Sequence, residues 1–203
     1  TSPIAVPDWR VHASDVIAYP RLDGIPAVTL EGGTPTWNII DPAALATTFL
    51  DAVAGALVAL QSISRADAEA AGAPVQTIAD ARVSIARTLE VAREILAPAD
   101  DVWSRWNRWV ADDTSWPQHV ALTHGDLHPG HMLLEGDGRL AGILDWTEAR
   151  VTDPSVDLAM FHMCFGRAAL EELVVRFVRA GGTAWPGMIE HAIERSAVFP
   201  ALG

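Results

Sequence analysis

The sequence predicts an α+β fold: a mostly helical body with a β-hairpin at its chemical centre, preceded by remnants of a β-rich part. Three observations predict it. After residue 40, apolar residues recur at helical spacing over long stretches. Met132-Leu133-Leu134-Glu135 and Leu140-Ala141-Gly142-Ile143-Leu144 flank Gly136-Asp137-Gly138, an Asp-Gly hairpin signal. Before residue 31 the chain is a series of short apolar runs broken by proline and glycine.

In residues 1–30 the extended pieces are Val11, Val16-Ile17-Ala18-Tyr19 and Ala27-Val28-Thr29-Leu30, interrupted by Pro3, Pro7, Pro20, Gly24 and Pro26. Residues 31–40 read as a loop. Asp41-Pro42 pairs an N-cap residue with proline at the first helical position. Leu45, Phe49, Val53, Leu57 and Leu60 then give an amphipathic helix to about residue 63. Residues 64–73 read as a connection. A second helix is expected from Thr77 to Leu96, with Ile78, Ile85, Leu89, Ala92 and Leu96 on its buried face. Trp103, Trp106 and Trp109 lie three apart on a short helix and read as core, and Trp37, Trp116 and Trp185 as packing residues. Val120-Ala121-Leu122-Thr123 is a short buried strand. After Trp146 a loop runs to Asp153-Pro154, a second cap pair, and helices follow at 155–165, 167–180 and 186–198.

Composition bounds the function. The 203 residues carry a net charge of −12, which argues against nucleic acid and an anionic membrane surface as main partners. No run approaches the roughly 18 apolar residues of a membrane span. The one cysteine, Cys164, sits in an apolar run and reads as a buried thiol, and the absence of any disulfide suits a reducing, cytoplasmic setting. All 14 basic residues are arginine, so chemistry that needs a lysine is excluded for this chain acting alone. Thr1-Ser2-Pro3 and the apolar end Val198–Gly203 read as the edges of a longer protein.

The densest chemistry lies in His124-Gly125-Asp126-Leu127-His128-Pro129-Gly130-His131. Phosphoryl transfer to an alcohol needs a carboxylate to orient the hydroxyl, divalent cations to neutralise the phosphates and a rigid loop to align them. Asp126 is the candidate carboxylate, on a loop held by Gly125, Pro129 and Gly130. His131 offers a lone pair to a metal, and Asp145, at the end of the second hairpin strand, offers a carboxylate. The hairpin brings residues 131 and 145 towards one end. His124 reads as an organiser of the loop, His128 as a loop residue that could border an acceptor, Asp157 as a brace and Asp153 as a helix cap.

These segments resemble the aminoglycoside phosphotransferase family. The run 124–130 followed by a metal ligand is similar to its Brenner motif. Ile143-Leu144-Asp145-Trp146 is similar to its metal-binding segment, and Asp153-Pro154-Ser155-Val156-Asp157-Leu158-Ala159 to the acidic segment that follows. The finer resemblance is to the macrolide 2′-phosphotransferases. His131 stands where the family at large has asparagine, as in the macrolide enzymes. Asp145–Val151, Ala5–Val11 and Ile17-Ala18-Tyr19-Pro20 also resemble macrolide-enzyme segments.

The resemblance implies a protein-kinase-like fold, with residues 1–30 as remnant of the N-terminal lobe and hinge, and 31–203 as the helical catalytic lobe. It implies transfer of the γ-phosphate of GTP to the 2′-hydroxyl of the amino sugar of macrolide antibiotics, with Asp126 catalytic and His131 and Asp145 holding Mg²⁺. Tyr19, Pro20, Arg21 and Leu22 would form the nucleotide-binding hinge, and Leu127 and His128 would approach the substrate. With no lysine and no glycine-rich phosphate loop, most of the N-terminal lobe is expected to be missing, leaving the chain alone nearly inactive. The alternatives are a kinase for an aminoglycoside or similar alcohol, a non-catalytic nucleotide- or macrolide-binding module, and a metallohydrolase built on His124, Asp126, His128 and His131.

Overall fold

The structure, a computed structural model, describes residues 4–13 and 15–202. Thr1–Pro3 and Gly203, part of the expected chain edges, lie outside the described residues. The order of elements is α+β, as the sequence predicts. Two small strands, β1 (Val11–His12) and β2 (Ile17–Ala18), pair antiparallel. Next come β3 (Ile25–Pro26), β4 (Val28–Glu31), β5 (Thr34–Trp37), α1 (Thr47–Ser62), α2 (Arg65–Ala70), α3 (Ile78–Leu96) and α4 (Asp100–Ala111). The segment around Asp126 supplies β6 (Ala121–Thr123), β7 (Met132–Leu134), β8 (Leu140–Ile143) and β9 (Arg150–Thr152). Two long helices close the fold, α5 (Ser155–Arg179) and α6 (Met188–Leu202).

The β7–β8 hairpin forms as expected and supplies two strands of a three-stranded sheet of order β3-β7-β8, with β7 in the middle. Ile25 pairs with Leu134 and Pro26 with Leu133, and the Ala27 N–H donates to the Met132 carbonyl at 2.8 Å. On the other edge Ala5 exchanges hydrogen bonds with Ala141 and Ile143. Segments from before residue 31 therefore flank the hairpin on both sides.

Five expectations are corrected. Residues 31–40 are not a loop: β4 and β5 form a hairpin around Gly32-Gly33, whose φ values of 57° and 84° suit a two-residue turn that only glycine adopts freely. The first helix starts at Thr47, not at Asp41-Pro42. Asp41 caps a local turn, accepting the Ala43 N–H at 2.9 Å. Residues 64–73 contain α2, capped by Ser64, which accepts the Asp67 N–H. The loop before Asp153 contains β9, which pairs with β6 and also takes backbone bonds from the segment before α3 (Gln76 N–H to Val151 O, Val151 N–H to Pro74 O). Leu96 is exposed rather than on the buried face of α3.

The helix break at 166 is confirmed. Gly166 interrupts α5 with φ 78°, ψ 178°. Thr77 opens α3 with a reciprocal capping box to Asp80, and Ala97 ends it in the left-handed region.

Two apolar clusters hold the elements. The larger packs Phe49 and Val53 of α1 and Phe161, Leu170 and Leu173 of α5 against Leu127, Met132, Leu134 and Ile143 of the loop and hairpin. The smaller joins Ile85 and Leu89 of α3, Trp106 and Trp109 of α4, Trp116, and Val198 of α6. The tryptophans read as core do pack: Trp109 and Trp116 stack at 5.2 Å, and Trp103, half-buried, is covered by the Arg93 guanidinium. Trp37 packs half-buried against Phe165, and Trp185 donates its indole N–H to Ser115 O.

Candidate active site

The loop that carries Asp126 is held by its backbone. Asp157, buried in the first turn of α5, accepts the His124 N–H on one carboxylate oxygen and the Gly125 N–H on the other, both at 2.9 Å. Burial pushes the Asp157 carboxyl up, and these two N–H groups pull it back. His124, fully buried, ties the loop to the far strand. Its Nδ1 accepts the Asp126 N–H at 3.2 Å, so its Nε2 carries the proton and donates to Leu144 O at 2.8 Å. Both ring nitrogens are engaged by the backbone, so His124 is an organiser and not a metal ligand. Asp157 and His124 thus both bond the backbone of the loop.

Gly125 is required by geometry. Its φ is +88°, and a Cβ there would run into the carbonyl oxygen of Glu148. The left-handed backbone alone costs an L-residue roughly 1–2 kcal/mol, and the collision adds to it. Gly125→Ala is therefore expected to lower unfolding stability by more than about 1 kcal/mol, read from denaturant midpoints. A change within about 0.5 kcal/mol would contradict the close approach.

His131 is fixed in a way that exposes its second nitrogen. Its Nδ1 lies 3.0 Å from the Asp126 carbonyl oxygen, which can only accept, so Nδ1 carries the proton. The Nε2 lone pair then faces Asp145 Oδ2 at 3.7 Å. Asp145 holds φ 55°, a region aspartate tolerates, and its other oxygen, Oδ1, is occupied by the Thr147 hydroxyl at 2.6 Å and N–H at 3.3 Å. Those Thr147 bonds, chiefly, hold the Asp145 carboxyl below its ordinary value against the opposing effect of burial, with His131 and His124 adding to the lowering.

A lone pair facing a carboxylate oxygen becomes favourable with a metal cation between them or with a proton on the ring nitrogen. Two ligands of one Mg²⁺, each about 2.1 Å away, are roughly 3 Å apart when adjacent and about 4 Å when opposite, and the observed 3.7 Å lies between the two. The donor set, one imidazole nitrogen and one carboxylate, fits a divalent cation, although Mg²⁺ alone would favour more oxygen.

Asp126 lies beside this pair, its Oδ2 at 3.6 Å from His131 Nδ1 and 3.9 Å from His128 Nε2, with about a third of its side chain exposed. Asp126, His128 and His131 bring ligand atoms within 4.8 Å of one another. The His128 Nδ1 accepts the Gly130 N–H at 3.0 Å, leaving Nε2 turned to Asp126. Burial, then His131, pushes the His128 imidazole below its ordinary value, favouring the neutral ring. Of the four-residue metallohydrolase cluster, Asp126, His128 and His131 converge, and His124 does not join them because both its nitrogens are engaged by the backbone.

The remaining candidate residues are placed differently from one another. Leu127 is buried at 2% exposure in the larger core, so its side chain offers nothing to an acceptor. Tyr19, Pro20 and Arg21 are exposed and Leu22 half-buried, on the run that leads into β3. Arg21 and Leu22 line a cleft of about 650 Å³ with Gly24, Leu134 and Ala141. Cys164 is half-buried, and burial pushes its thiol up to about 11, which fits the structural thiol expected.

Sequence reasoning missed the role of Asp153. It accepts the Ser155 N–H at 2.9 Å, as a cap would. Its other oxygen takes His191 Nε2 and Arg195 Nη1, both at 2.8 Å, in a buried cluster. No periodicity links residues 38 and 42 positions apart. Thr147, which fixes Asp145, was also passed over, although the Asp145-Trp146-Thr147 spacing is that of a local Asx turn.

The family model described as "Phosphotransferase enzyme family" matches residues 1–191. The uncharacterized protein YcbJ of Bacillus subtilis (strain 168) is 38% identical over 197 residues, covering 96% of this chain and 64% of that protein. The solved structure of a macrolide 2′-phosphotransferase type I is similar at a TM-score of 0.90 and 37% identity, over 98% of this chain and 66% of the other. That of macrolide 2′-phosphotransferase MphH from Brachybacterium faecium, an apoenzyme, gives a TM-score of 0.87 and 35% identity over the same shares. The chain thus spans slightly less than two thirds of the length of these relatives. The shared fold is protein-kinase-like.

Proposed function

From the premise that this chain belongs to the phosphotransferase enzyme family, we propose that it is the catalytic lobe of an antibiotic-resistance kinase that transfers the γ-phosphate of GTP to the 2′-hydroxyl of a macrolide's amino sugar. The observation that carries the reading is the convergence of Asp126 with the His131 Nε2–Asp145 Oδ2 pair, 3.7 Å apart. The macrolide assignment is supported by the likeness to the two macrolide 2′-phosphotransferases and by histidine at position 131.

In this reading the Asp126 carboxylate accepts a hydrogen bond from the acceptor hydroxyl and turns its oxygen towards the γ-phosphorus. A bond forms between that oxygen and phosphorus, the bond from phosphorus to the β–γ bridging oxygen breaks, and the hydroxyl proton passes to Asp126. The products are the phosphorylated sugar and GDP. His131 and Asp145 would hold Mg²⁺, whose chemistry there is neutralisation of negative charge on phosphate oxygens. His128, neutral and beside Asp126, borders the acceptor. Tyr19, Pro20, Arg21 and Leu22 are assigned to the purine base. A protonated amino sugar suits a chain of net charge −12.

Residues 1–30 are assigned to the end of the N-terminal lobe and the hinge, and residues 31–203 to the catalytic lobe. The cation on the α- and β-phosphates is assigned to a lobe beyond this lysine-free sequence, so residues 1–203 alone transfer phosphate only weakly. No helix among the described residues is long and apolar enough to cross a membrane, and a cytoplasmic kinase fits that.

The test is a phosphate-transfer assay on the full-length protein that contains this chain, comparing GTP with ATP and erythromycin with an aminoglycoside. GTP with erythromycin is expected to give the highest kcat/KM. Preference for an aminoglycoside would move the protein to another branch of the family. Binding of nucleotide or macrolide without any transfer would favour a non-catalytic module, and tightly held zinc without nucleotide a hydrolase. Thr147→Val, which removes the hydroxyl bond to Asp145 Oδ1 and leaves only the longer N–H bond, is expected to raise the Mg²⁺ concentration for half-maximal rate by about tenfold or more. An unchanged Mg²⁺ requirement would remove Asp145 from the metal site.

A further inference from the structure

The brace on the loop does not end at Asp157. Asp153 and Asp157 lie one helical turn apart at the start of α5, and both are buried. Asp157 spends both oxygens on the loop backbone. Asp153 Oδ2 is gripped by two side chains of α6, His191 and Arg195. His191 is fixed in turn by α4. The Trp109 indole can only donate, and its Nε1 lies 3.0 Å from His191 Nδ1, so His191 Nε2 carries the proton given to Asp153.

Arg195 is the one buried guanidinium among the described residues, and its charge acts on Asp153 and Asp157 together. Its Nε is buried without a hydrogen-bond partner. A buried ion pair with an orphaned N–H is a poor source of stability, which turns attention to what it fixes in place.

We propose that Arg195 and His191 are positioning residues for the loop that carries Asp126, acting through Asp153 and Asp157 and tying the loop's placement to α4 and α6. The proposal rests on reading residues 124–131 as the catalytic loop. Arg195 sets the charge and orientation of the start of α5. That helix start sets the two N–H groups on either side of the His124–Gly125 peptide, and these set Asp126. Both α6 side chains are buried.

The experiment uses the full-length protein that contains this chain, with Arg195→Met and Arg195→Lys. Two readouts are taken: the backbone amide resonances of His124 and Gly125, and kcat with KM for nucleotide and acceptor. Arg195→Met is expected to shift both amides and to lower kcat about tenfold or more, with KM values within about twofold. Arg195→Lys, which keeps the charge, is expected to restore part of both. Where Arg195→Met does not fold, Arg195→Lys is read alone and should still displace the two amides and lower kcat. Amides that stay in place, or amides that move with kcat unaltered, would overturn the proposal. The amide readout needs no substrate, so it decides the positioning claim even if the wild-type protein phosphorylates no macrolide, which would sink the functional reading instead.

Discussion

Replacing Asp126 with alanine is expected to lower kcat for phosphate transfer by about 10²–10⁴-fold, the range a positioned general base supplies. KM for nucleotide and acceptor should change little, because the carboxylate acts on the hydroxyl as the bond to phosphorus forms. Stability should stay near wild type. The Asp126 carboxylate is about a third exposed, and its neighbours His131 and His128 stand at 3.6 and 3.9 Å, beyond hydrogen-bond length. The Asp126→Asn variant separates two roles. Asparagine still accepts a hydrogen bond from the hydroxyl but cannot take its proton. Loss as deep as in the alanine variant assigns proton transfer to Asp126, whereas substantial retained activity assigns orientation. An Asp126→Ala protein with wild-type kcat would remove the residue from the chemistry.

The largest effect on stability is expected at Asp153. Asp153→Ala leaves Arg195 buried without its partner, and breaking a buried pair this way costs about 3–5 kcal/mol. Against the roughly 5–15 kcal/mol that holds a typical domain together, this is enough to compromise folding near body temperature. The charge state gives a second handle. Burial drives the Asp153 carboxyl up, but Arg195, His191 and the Ser155 N–H outweigh it and hold the group at about 2. Arg195 is itself drawn down by burial, which the two carboxylates only partly offset, yet a guanidinium remains charged at neutral pH.

A carboxyl whose folded value is depressed contributes stability above its unfolded value and loses it as pH falls through the folded one. The contribution of Asp153, roughly 2 kcal/mol, should therefore be complete above about pH 4 and vanish towards about pH 2. Urea midpoints of wild type and Asp153→Asn, followed over that window, should converge as pH falls. A gap that stays constant with pH would show that the charge of Asp153 contributes nothing.

What the sequence made legible follows from how local each feature is. The proximity of Asp126, His131 and Asp145 could be read because a short loop and a tight hairpin carry them, so their spacing along the chain nearly fixes their spacing in space. The α3 cap and the break at Gly166 were likewise local, set by Thr77 with Asp80 and by one left-handed glycine. The misses have the opposite character. Strand β9 is three residues long, too short for alternation to register, and it exists because β6 and the segment before α3 pair with it. The β4–β5 hairpin was signalled by Gly32-Gly33 between Thr29-Leu30 and Thr34-Thr36, but glycine and proline content outweighed the strand pattern. Asp41 and Asp153 both carry the same Asp-Pro signature. One closes an exposed turn, and the other anchors a buried ion cluster whose partners lie on α6. Local pattern cannot distinguish them, because the difference is made by a helix folded back from far along the chain.

The most direct measurement of the central claim is the position of phosphate on the product. The full-length protein that contains this chain is incubated with GTP, Mg²⁺ and erythromycin, and the macrolide is examined by mass spectrometry and phosphorus–proton correlation. The account predicts one phosphate, on the 2′-oxygen of the amino sugar, formed in equal amount with GDP and lost in Asp126→Ala. Release of inorganic phosphate with unmodified macrolide, or phosphate on a different hydroxyl, would contradict it.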